Sequence, residues 1–178
     1  MSDKKVLFIS SSLRKGSNSE ALLREAEKGA IASGHLTEFI SLKDRTIGFC
    51  RGCLACQKTF KCVIDDDAGE IVEKIRDADI LVFATPIYYY EISGQLKTLL
   101  DRANPLYPQK YRFREVFLIT TSEDDTSRAD RTAIEAMKSW VECFPESRFA
   151  GAFSGAGAGV GTLSEDMLND AYLFGKEI

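Results

Sequence analysis

Short apolar runs alternate with longer amphipathic stretches along most of the chain. The runs have the length of buried strands, and we predict five strands, over 5–10, 36–42, 79–85, 115–121 and 148–153. In the stretches between and after them, apolar residues recur at helical spacing. This spacing predicts five helices, over 18–33, 67–78, 94–103, 128–144 and 164–174.

The regular alternation of strands and helices predicts the fold class. Parallel strands are joined by crossover helices, so the pattern indicates an α/β three-layer sandwich with a parallel sheet covered on both faces. The run DILVFAT at 79–85 is apolar enough to be buried on both sides. Five strands favour the flavodoxin-like doubly wound order 2-1-3-4-5. We expect residues 1–178 to form a single domain, with a cysteine-rich loop at about 43–66.

Composition narrows the class of protein further. The chain has 178 residues, 44% of them hydrophobic and 28% charged, which is typical of a globular domain rather than a disordered one. A net charge of −4 without a long basic run gives no reason to expect nucleic acid or an anionic membrane as partner. The start MSDKKVLFISSS is a poor signal peptide, and no run is long enough to span a bilayer. We therefore expect a cytoplasmic protein with reduced thiols.

Four of the five cysteines lie close together, at Cys50, Cys53, Cys56 and Cys62, in the spacing C-x-x-C-x-x-C-x5-C. In a reducing compartment such a local group favours a metal centre or redox-active thiols over a disulfide framework. Zinc also accepts four thiolates, but its usual sites use two separated pairs of cysteines. A structural or redox role without metal stays open as well.

A polar loop, SSSLRKGSNS at 10–19, joins the first strand to the first helix. Doubly wound sheets bind ligands at the carboxyl ends of their strands, beside this strand. Hydroxyls, backbone amides and the Arg14 guanidinium would meet an anion at a helix N-terminus, and Gly16 allows a tight turn. The loop has neither the nucleoside triphosphate motif G-x-x-x-x-G-K-[ST] nor the dinucleotide motif G-x-G-x-x-G. The alternative is that the serines and Asn18 only cap the helix.

A second loop, TPIYYYEISGQLK at 85–97, follows the third strand. Its tyrosines offer stacking area, and backbone amides beside Pro86 can hydrogen-bond the polar edge of a flat ligand. The alternative is that the tyrosines belong to the core or to a subunit interface. Thr121, at the end of the fourth strand, would edge the same pocket.

Three further expectations concern residues outside these loops. Lys97, Asp101 and Arg102 have the spacing of ion pairs on a helix surface. Cys143 lies in an amphipathic helix, and we expect it to be a buried apolar filler. The glycine-rich stretch at 151–161 is either a ligand-facing loop or a flexible connection.

The two loops carry a resemblance that spans nearly the whole chain. The stretch 11–19 matches the pattern G-S-x-R-x-x-S/G-N-T/S, with Ser11 in place of the usual glycine, and 86–97 matches P-x-Y-[WY]-x-x-x-x-G-x-L-K. Both patterns resemble the NAD(P)H-dependent FMN reductase and iron–sulfur flavoprotein branch of the flavodoxin-like superfamily. The resemblance implies FMN contacts from two sets of residues, namely Ser12, Arg14, Ser17, Asn18 and Ser19 for the phosphate, and Pro86, Ile87, Tyr88, Tyr89, Tyr90 and Thr121 around the ring.

The cysteine spacing is similar to that of iron–sulfur flavoproteins in particular. These proteins carry C-x-x-C-x-x-C-x4–7-C between the second strand and the next helix, and the four cysteines match that pattern residue for residue. The resemblance implies that Cys50, Cys53, Cys56 and Cys62 are the ligands of a [4Fe-4S] cluster. Many FMN reductases keep similar cysteines without a recognised cluster, so zinc and metal-free thiols stay open.

These observations lead to a functional hypothesis. We expect an FMN-dependent oxidoreductase that takes electrons from NAD(P)H, or from a ferredoxin-like carrier, and passes them on through the flavin and a [4Fe-4S] cluster. No catalytic residue is assigned, because hydride transfer is the chemistry of the cofactor. The family implies a homodimer or homotetramer. The alternative, from another class, is a non-enzymatic cysteine-loop module that binds metal or senses redox state.

Overall fold

A computed structural model describes residues 3–126 and 128–178. Its five strands form one parallel sheet in the order β2-β1-β3-β4-β5, which confirms the predicted topology. The strands are β1 (Lys5–Ser10), β2 (Leu36–Ser41), β3 (Ile80–Pro86), β4 (Glu115–Ser122) and β5 (Arg148–Ala156).

Helices connect the strands and cover both faces of the sheet. They are α1 (Asn18–Ala32), α2 (Cys56–Thr59), α3 (Ala68–Asp77), α4 (Gly94–Arg102), α5 (Arg131–Glu142) and α6 (Glu165–Lys176), with a 3₁₀ turn at Asn104–Leu106 after α4. The one-turn helix α2 lies inside the cysteine-rich loop and was not predicted. Its brevity explains this, since four residues show no helical period.

Alternate side chains of each central strand enter two separate cores. Val6 and Phe8 of β1 pack with α1 and α6, whereas Leu7 and Ile9 pack with α3, α4 and α5. All four side chains are fully buried. Such burial on both faces is typical of parallel sheets and explains why these strands are continuous apolar runs. The predicted three-layer sandwich is therefore confirmed.

Two predicted elements differ from the structure by three residues at one end. The fifth strand continues three residues beyond the prediction, to Ala156, because it pairs with β4 as far as Ser122. The predicted helix 128–144 is shorter, and α5 begins only at Arg131. Asp130 precedes it, and the Asp130 carboxylate accepts a hydrogen bond from Thr120 Oγ1 at 2.9 Å instead of capping the helix.

Cys143 differs from its predicted environment. The expectation of a buried filler is wrong, because Cys143 is exposed at the carboxyl end of α5. The buried residues of that helix are Ala133, Met137 and Val141, which recur at a spacing of four and so define one face. Position 143 lies two residues beyond the last of them and is therefore not on that face.

The sheet order brings several loops to one edge. Strands β1 and β3 are neighbours, with Ser10 opposite Ala84, and β4 adjoins β3 with Thr121 opposite Pro86. The loops after these three strands therefore emerge side by side at the carboxyl ends of the strands, next to the point where the order of strands reverses. In the described part of the chain, no helix has the length and apolar character needed to cross a membrane.

Candidate functional site

A cavity of about 410 Å³ lies at the carboxyl ends of β1, β3 and β4. Its volume is in the range of small-molecule and cofactor sites. The structure places all eleven residues that the resemblance assigned to FMN around this cavity: Ser12, Arg14, Ser17, Asn18, Ser19, Pro86, Ile87, Tyr88, Tyr89, Tyr90 and Thr121. Residues from two loops that are about 70 positions apart thus share one site.

One end of the cavity is suited to an anion. The Ser17 side chain accepts a hydrogen bond from the Glu20 amide at 3.2 Å and caps α1 at its N-terminus. Ser19 lies in the first turn of that helix, and its hydroxyl is one of the few buried polar atoms without a hydrogen-bond partner among the described residues. Arg14 lies on the exposed rim. A free hydroxyl, a guanidinium and a helix N-terminus together fit a phosphate group.

Asn18 has a structural task that its sequence position did not reveal. Its side-chain amide donates to the Gly159 carbonyl at 2.7 Å, and its oxygen accepts from the Gly161 amide at 3.0 Å. These bonds hold part of the glycine-rich stretch against α1, so that Ala158 and Val160 line the cavity. Of the two readings left open by the sequence, the structure supports a loop that faces the cavity.

Ser11, which stands where the family pattern has glycine, connects the two ligand loops. Its hydroxyl bonds to the Ala84 carbonyl and to Ser93 Oγ, both at 2.9 Å. Ser93 caps α4, and its backbone amide donates to Thr85 Oγ1 at 2.9 Å. This buried chain of hydrogen bonds ties the β1–α1 loop to the β3–α4 loop. These hydrogen bonds depend on the pairing of β1 with β3, so the local sequence could not predict them.

The tyrosines form a tight turn at the mouth of the cavity. Tyr88 and Glu91 exchange both backbone hydrogen bonds, at 3.0 and 3.1 Å, and Tyr89 and Tyr90 between them have φ of 52° and 65°. Both central residues are left-handed, as in a type I′ turn, where Asn-Gly is usual. The three tyrosines are exposed rather than in the core, and the Arg128 guanidinium lies 5.0 Å from the Tyr90 ring centroid. Strained turns with bulky residues are typical of ligand sites.

Acidic residues form a further part of the rim. Glu123 and Asp124, which follow β4, line the cavity together with Ser122. The Thr126 amide donates to the Asp124 carboxylate at 2.8 Å, and this bond is the main reason that the pKa of Asp124 is lowered. The Asp124 carboxylate is therefore ionised near neutral pH, and it lies close enough to the Arg128 guanidinium for that charge to lower its pKa further.

The four clustered cysteines lie in the loop between β2 and α3. Cys56 is buried and Cys62 half-buried, whereas Cys50 and Cys53 are exposed, and all four are free thiols. Within 3–126 and 128–178, no three His, Cys, Asp or Glu side chains are gathered as they would be around a metal ion. The donor set itself, four thiols on one loop, is the set that an iron–sulfur cluster requires.

The buried side chain of Arg102 anchors both ends of this loop. Its guanidinium pairs with Asp66 at 2.6 and 2.8 Å, and it also donates to the carbonyls of Gly48 at 2.7 Å and Ile64 at 3.2 Å. The Arg102 side chain is 0% exposed and that of Asp66 8%. Burial alone would raise the pKa of Asp66, but the bonds from Arg102 and from backbone amides hold it below its ordinary value of 3.8.

Of the three α4 residues predicted to form ion pairs on the helix surface, two do so and one does not. Lys97 and Asp101 form an exposed ion pair at 2.5 Å, as the helical spacing predicted. The same prediction is wrong for Arg102, which is buried. Its partner, Asp66, lies 36 residues away in the sequence, so a pattern within one helix could not reveal it.

Two amide side chains beyond α4 also contact the cysteine loop. Asn104 Nδ2 donates to Cys56 Sγ at 3.2 Å, and Gln109 Nε2 donates to the Phe60 carbonyl at 3.1 Å. A second cavity of about 220 Å³ lies beneath the loop, with Cys62 and Arg102 in its wall. The Asp66 carboxylate raises the pKa of Arg102, and the nearby Cys62 thiol adds to this rise. The two inner sulfurs thus each lie beside a hydrogen-bond donor.

Comparison with known proteins agrees with this geometry. A family model described as NADPH-dependent FMN reductase matches residues 4–155. An iron–sulfur flavoprotein of Methanocaldococcus jannaschii is 43% identical over 102 residues, which cover 57% of this chain and 53% of that protein. A Bacillus subtilis protein, whose name describes an NAD(P)H-dependent FMN-containing oxidoreductase, is 31% identical over 129 residues, or 68% of each chain.

Similarity of fold extends further than similarity of sequence. The solved structure of an NAD(P)H:quinone oxidoreductase from Methanothermobacter marburgensis superposes with a TM-score of 0.71 at 17% identity, covering 98% of both chains. The match to the iron–sulfur flavoproteins, in contrast, covers only about half the length of those relatives. The family match over residues 4–155 nevertheless includes both ligand loops and all four clustered cysteines, and the chain therefore belongs to the NADPH-dependent FMN reductase family.

Proposed function

We propose that this chain is an oxidoreductase that binds FMN in the cavity at the carboxyl ends of β1, β3 and β4. The observation that carries the proposal is the anion-binding end of the cavity, where the Ser19 hydroxyl has no partner within the described residues. Ser12, Arg14, Ser17 and Ser19 would hold the phosphate there. The isoalloxazine ring would lie between the Pro86–Tyr90 turn and Thr121, with Asn18 supporting the wall opposite.

Bound FMN would accept a hydride from NAD(P)H and pass the electrons to an acceptor. The protein's own part is to anchor the phosphate, orient the ring and keep water from its buried edge. Flat tyrosines at the mouth offer a surface for a second aromatic ring. No side-chain acid or base is needed for this chemistry, so none is assigned.

We propose further that Cys50, Cys53, Cys56 and Cys62 hold a [4Fe-4S] cluster. The spacing of the four thiols and the name of the Methanocaldococcus relative support this proposal. The anchored loop supports it as well, because Arg102 closes its two ends together. Such a cluster would relay single electrons to or from the flavin. A single domain over 1–178, a homo-oligomer and a cytoplasmic location stay predictions.

The flavin proposal is tested by FMN binding to Arg14→Met. A charge-assisted hydrogen bond contributes roughly 1.5–3 kcal/mol, and each 1.4 kcal/mol is about tenfold in affinity. We expect FMN-free protein to bind FMN about 10- to 100-fold more weakly in this variant, measured by quenching of flavin fluorescence. Lys15→Met is the matched control, since Lys15 is exposed on the same turn and is not part of the cavity wall. Equal affinity in the two variants would refute the phosphate assignment.

The cluster proposal is tested by analysis of anaerobically purified protein. We expect iron and acid-labile sulfide in equal amounts, about four of each per chain, and broad absorption in the blue-violet region. Substitution of Cys56 by Ser should remove most of the iron while FMN remains bound, because the two sites lie on different loops. Protein that holds zinc, or no metal at all, would contradict this proposal without affecting the flavin assignment.

A further inference from the structure

Two hydrogen bonds reach sulfurs of the described cysteine loop, one from the Gly52 backbone amide to Cys50 at 3.4 Å and one from the side chain of Asn104 to Cys56. Asn104 is the first residue of the 3₁₀ turn after α4, and its Nδ2 lies 3.2 Å from Cys56 Sγ, 48 residues away in the sequence. Cys56 is 7% exposed and is the one fully buried thiol of the described four. An amide N–H aimed at a buried sulfur is well placed to stabilise negative charge on it.

Neighbouring anchors hold this contact in place. On one side of Asn104, Arg102 is locked by its bidentate pair with Asp66. On the other side, Gln109 donates to the Phe60 carbonyl and to the Pro105 carbonyl, at 3.1 and 2.8 Å. Phe60 ends the short helix α2 that Cys56 begins. Anchored residues therefore flank the Asn104–Cys56 contact on both sides, and such support is a condition for a tuned interaction.

The other thiols have different surroundings. Cys50 and Cys53 are exposed to water, and Cys62 lies beside the Arg102 guanidinium, whose charge is already shared with Asp66. Hydrogen bonds to the sulfurs and solvent exposure are the terms by which a protein sets the potential of an iron–sulfur centre. Among the neutral side chains of the described region, Asn104 is the one that donates to a clustered cysteine sulfur.

We propose that Asn104 is a positioning residue that raises the reduction potential of the centre held by the cysteine loop. This inference rests on the proposed cluster. Uptake of one electron adds one negative charge to the centre, and part of that charge resides on the cysteine sulfurs. An N–H donor stabilises the reduced form more than the oxidised form, so its removal must lower the potential.

The test is an anaerobic potentiometric titration of cluster-loaded protein, followed by visible absorption and by EPR of the reduced centre. We expect Asn104→Leu to shift the midpoint potential to a lower value while the iron content stays the same. Asn104→Asp should shift it lower still, because it replaces the donor with a negative charge of nearly the same shape. Asn104→Gln keeps an amide donor and should restore part of the shift.

Asn169→Leu is the matched control. It makes the same substitution at an exposed residue of α6, on the opposite face of the sheet from α4, so the potential should not change. An unchanged potential in Asn104→Leu with full iron content overturns the inference. If Asn104→Leu loses its iron, the nearly isosteric Asn104→Asp takes its place in the test. An unchanged potential in Asn104→Asp then overturns the inference. Wild-type protein that contains no iron would overturn both the cluster proposal and this inference. The FMN proposal would be unaffected, because FMN binding to Arg14→Met tests it separately.

Discussion

The flavin cavity and the cysteine loop are built by two different means. The cavity is formed by strand ends, and the backbone pairing of β1, β3 and β4 holds its walls. The cysteine loop lies outside the sheet, and side chains from the short segment 102–109 hold it. A wall held by many backbone bonds tolerates the loss of one side chain, whereas a loop held by a few side chains, with one buried ion pair at its base, does not.

The two regions also differ in backbone strain and in the hydrogen-bond partners of their buried polar groups. At the cavity, an unpartnered hydroxyl and a left-handed tyrosine turn carry local costs that the sheet can support. In the cysteine loop, the Arg102 guanidinium bonds to two loop carbonyls and a carboxylate at once, and only its Nε has no partner among the described residues. Ligand binding would relieve the costs at the first site, while the second depends on bonds that are already made.

The largest expected effect comes from breaking the anchor of the cysteine loop. Arg102→Met leaves the Asp66 carboxylate buried without a counter-charge, which costs about 3–5 kcal/mol of the free energy of unfolding. Urea denaturation of the metal-free protein measures this loss. Lys97→Met, in the same helix, removes an exposed ion pair and should cost about 0–1 kcal/mol. Similar losses in the two variants would mean that Arg102 does not anchor the loop.

Acid should weaken the same anchor by a smaller and gradual amount. The pKa of Asp66 is lowered in the folded protein, so its contribution to stability is complete above its ordinary pKa of 3.8 and is lost as pH falls through the lower, folded value. Asp66→Asn cannot titrate. The difference in unfolding free energy between wild type and this variant should therefore be constant above about pH 5, begin to narrow near pH 3.8 and keep narrowing as the pH falls toward the folded pKa. A difference that stays constant as the pH falls below 3.8 would contradict the assignment.

The smallest expected effect concerns the tyrosine turn and has opposite signs for stability and binding. Replacing Tyr89-Tyr90 with Asn-Gly puts the usual residues into a type I′ turn and should raise the free energy of unfolding by about 1 kcal/mol. FMN affinity should fall, because the aromatic wall is lost. Both quantities are measured on the same preparation. Tyr107→Asn is the control, since Tyr107 is also exposed but has a right-handed backbone, so its replacement should not raise the free energy of unfolding.

Much of the fold followed from local patterns. β1 has the predicted bounds, α1, β2 and α4 each differ from theirs by one residue at one end, and α3 is one residue shorter at each end. A strand that is buried on both faces leaves a continuous apolar run, and a helix that is buried on one face leaves a helical period. Both patterns are strong signals in the sequence. The end of β5 was missed, since Gly155 and Ala156 join the sheet only through their pairing with β4.

The candidate site was predictable in its members but not in their contacts. The two loop patterns and the end of the fourth strand indicated eleven of the residues around the cavity. They did not indicate that Asn18 holds the glycine-rich stretch or that Ser11 ties two loops together. Each of these bonds joins residues more than 70 positions apart, and short-range spacing carries no information about such partners.

The sequence alone therefore determined the order of elements, the two ligand loops and the four thiols, because periodicity, turn chemistry and motif spacing are local properties. The tertiary structure decided which polar groups are buried and what they contact. Arg102 looked like a surface residue of its helix and is instead the buried anchor of the cysteine loop. Asn104 gave no signal at all, yet it reaches Cys56. Burial and long-range partners follow from how the layers pack, and only the folded chain brings those residues together.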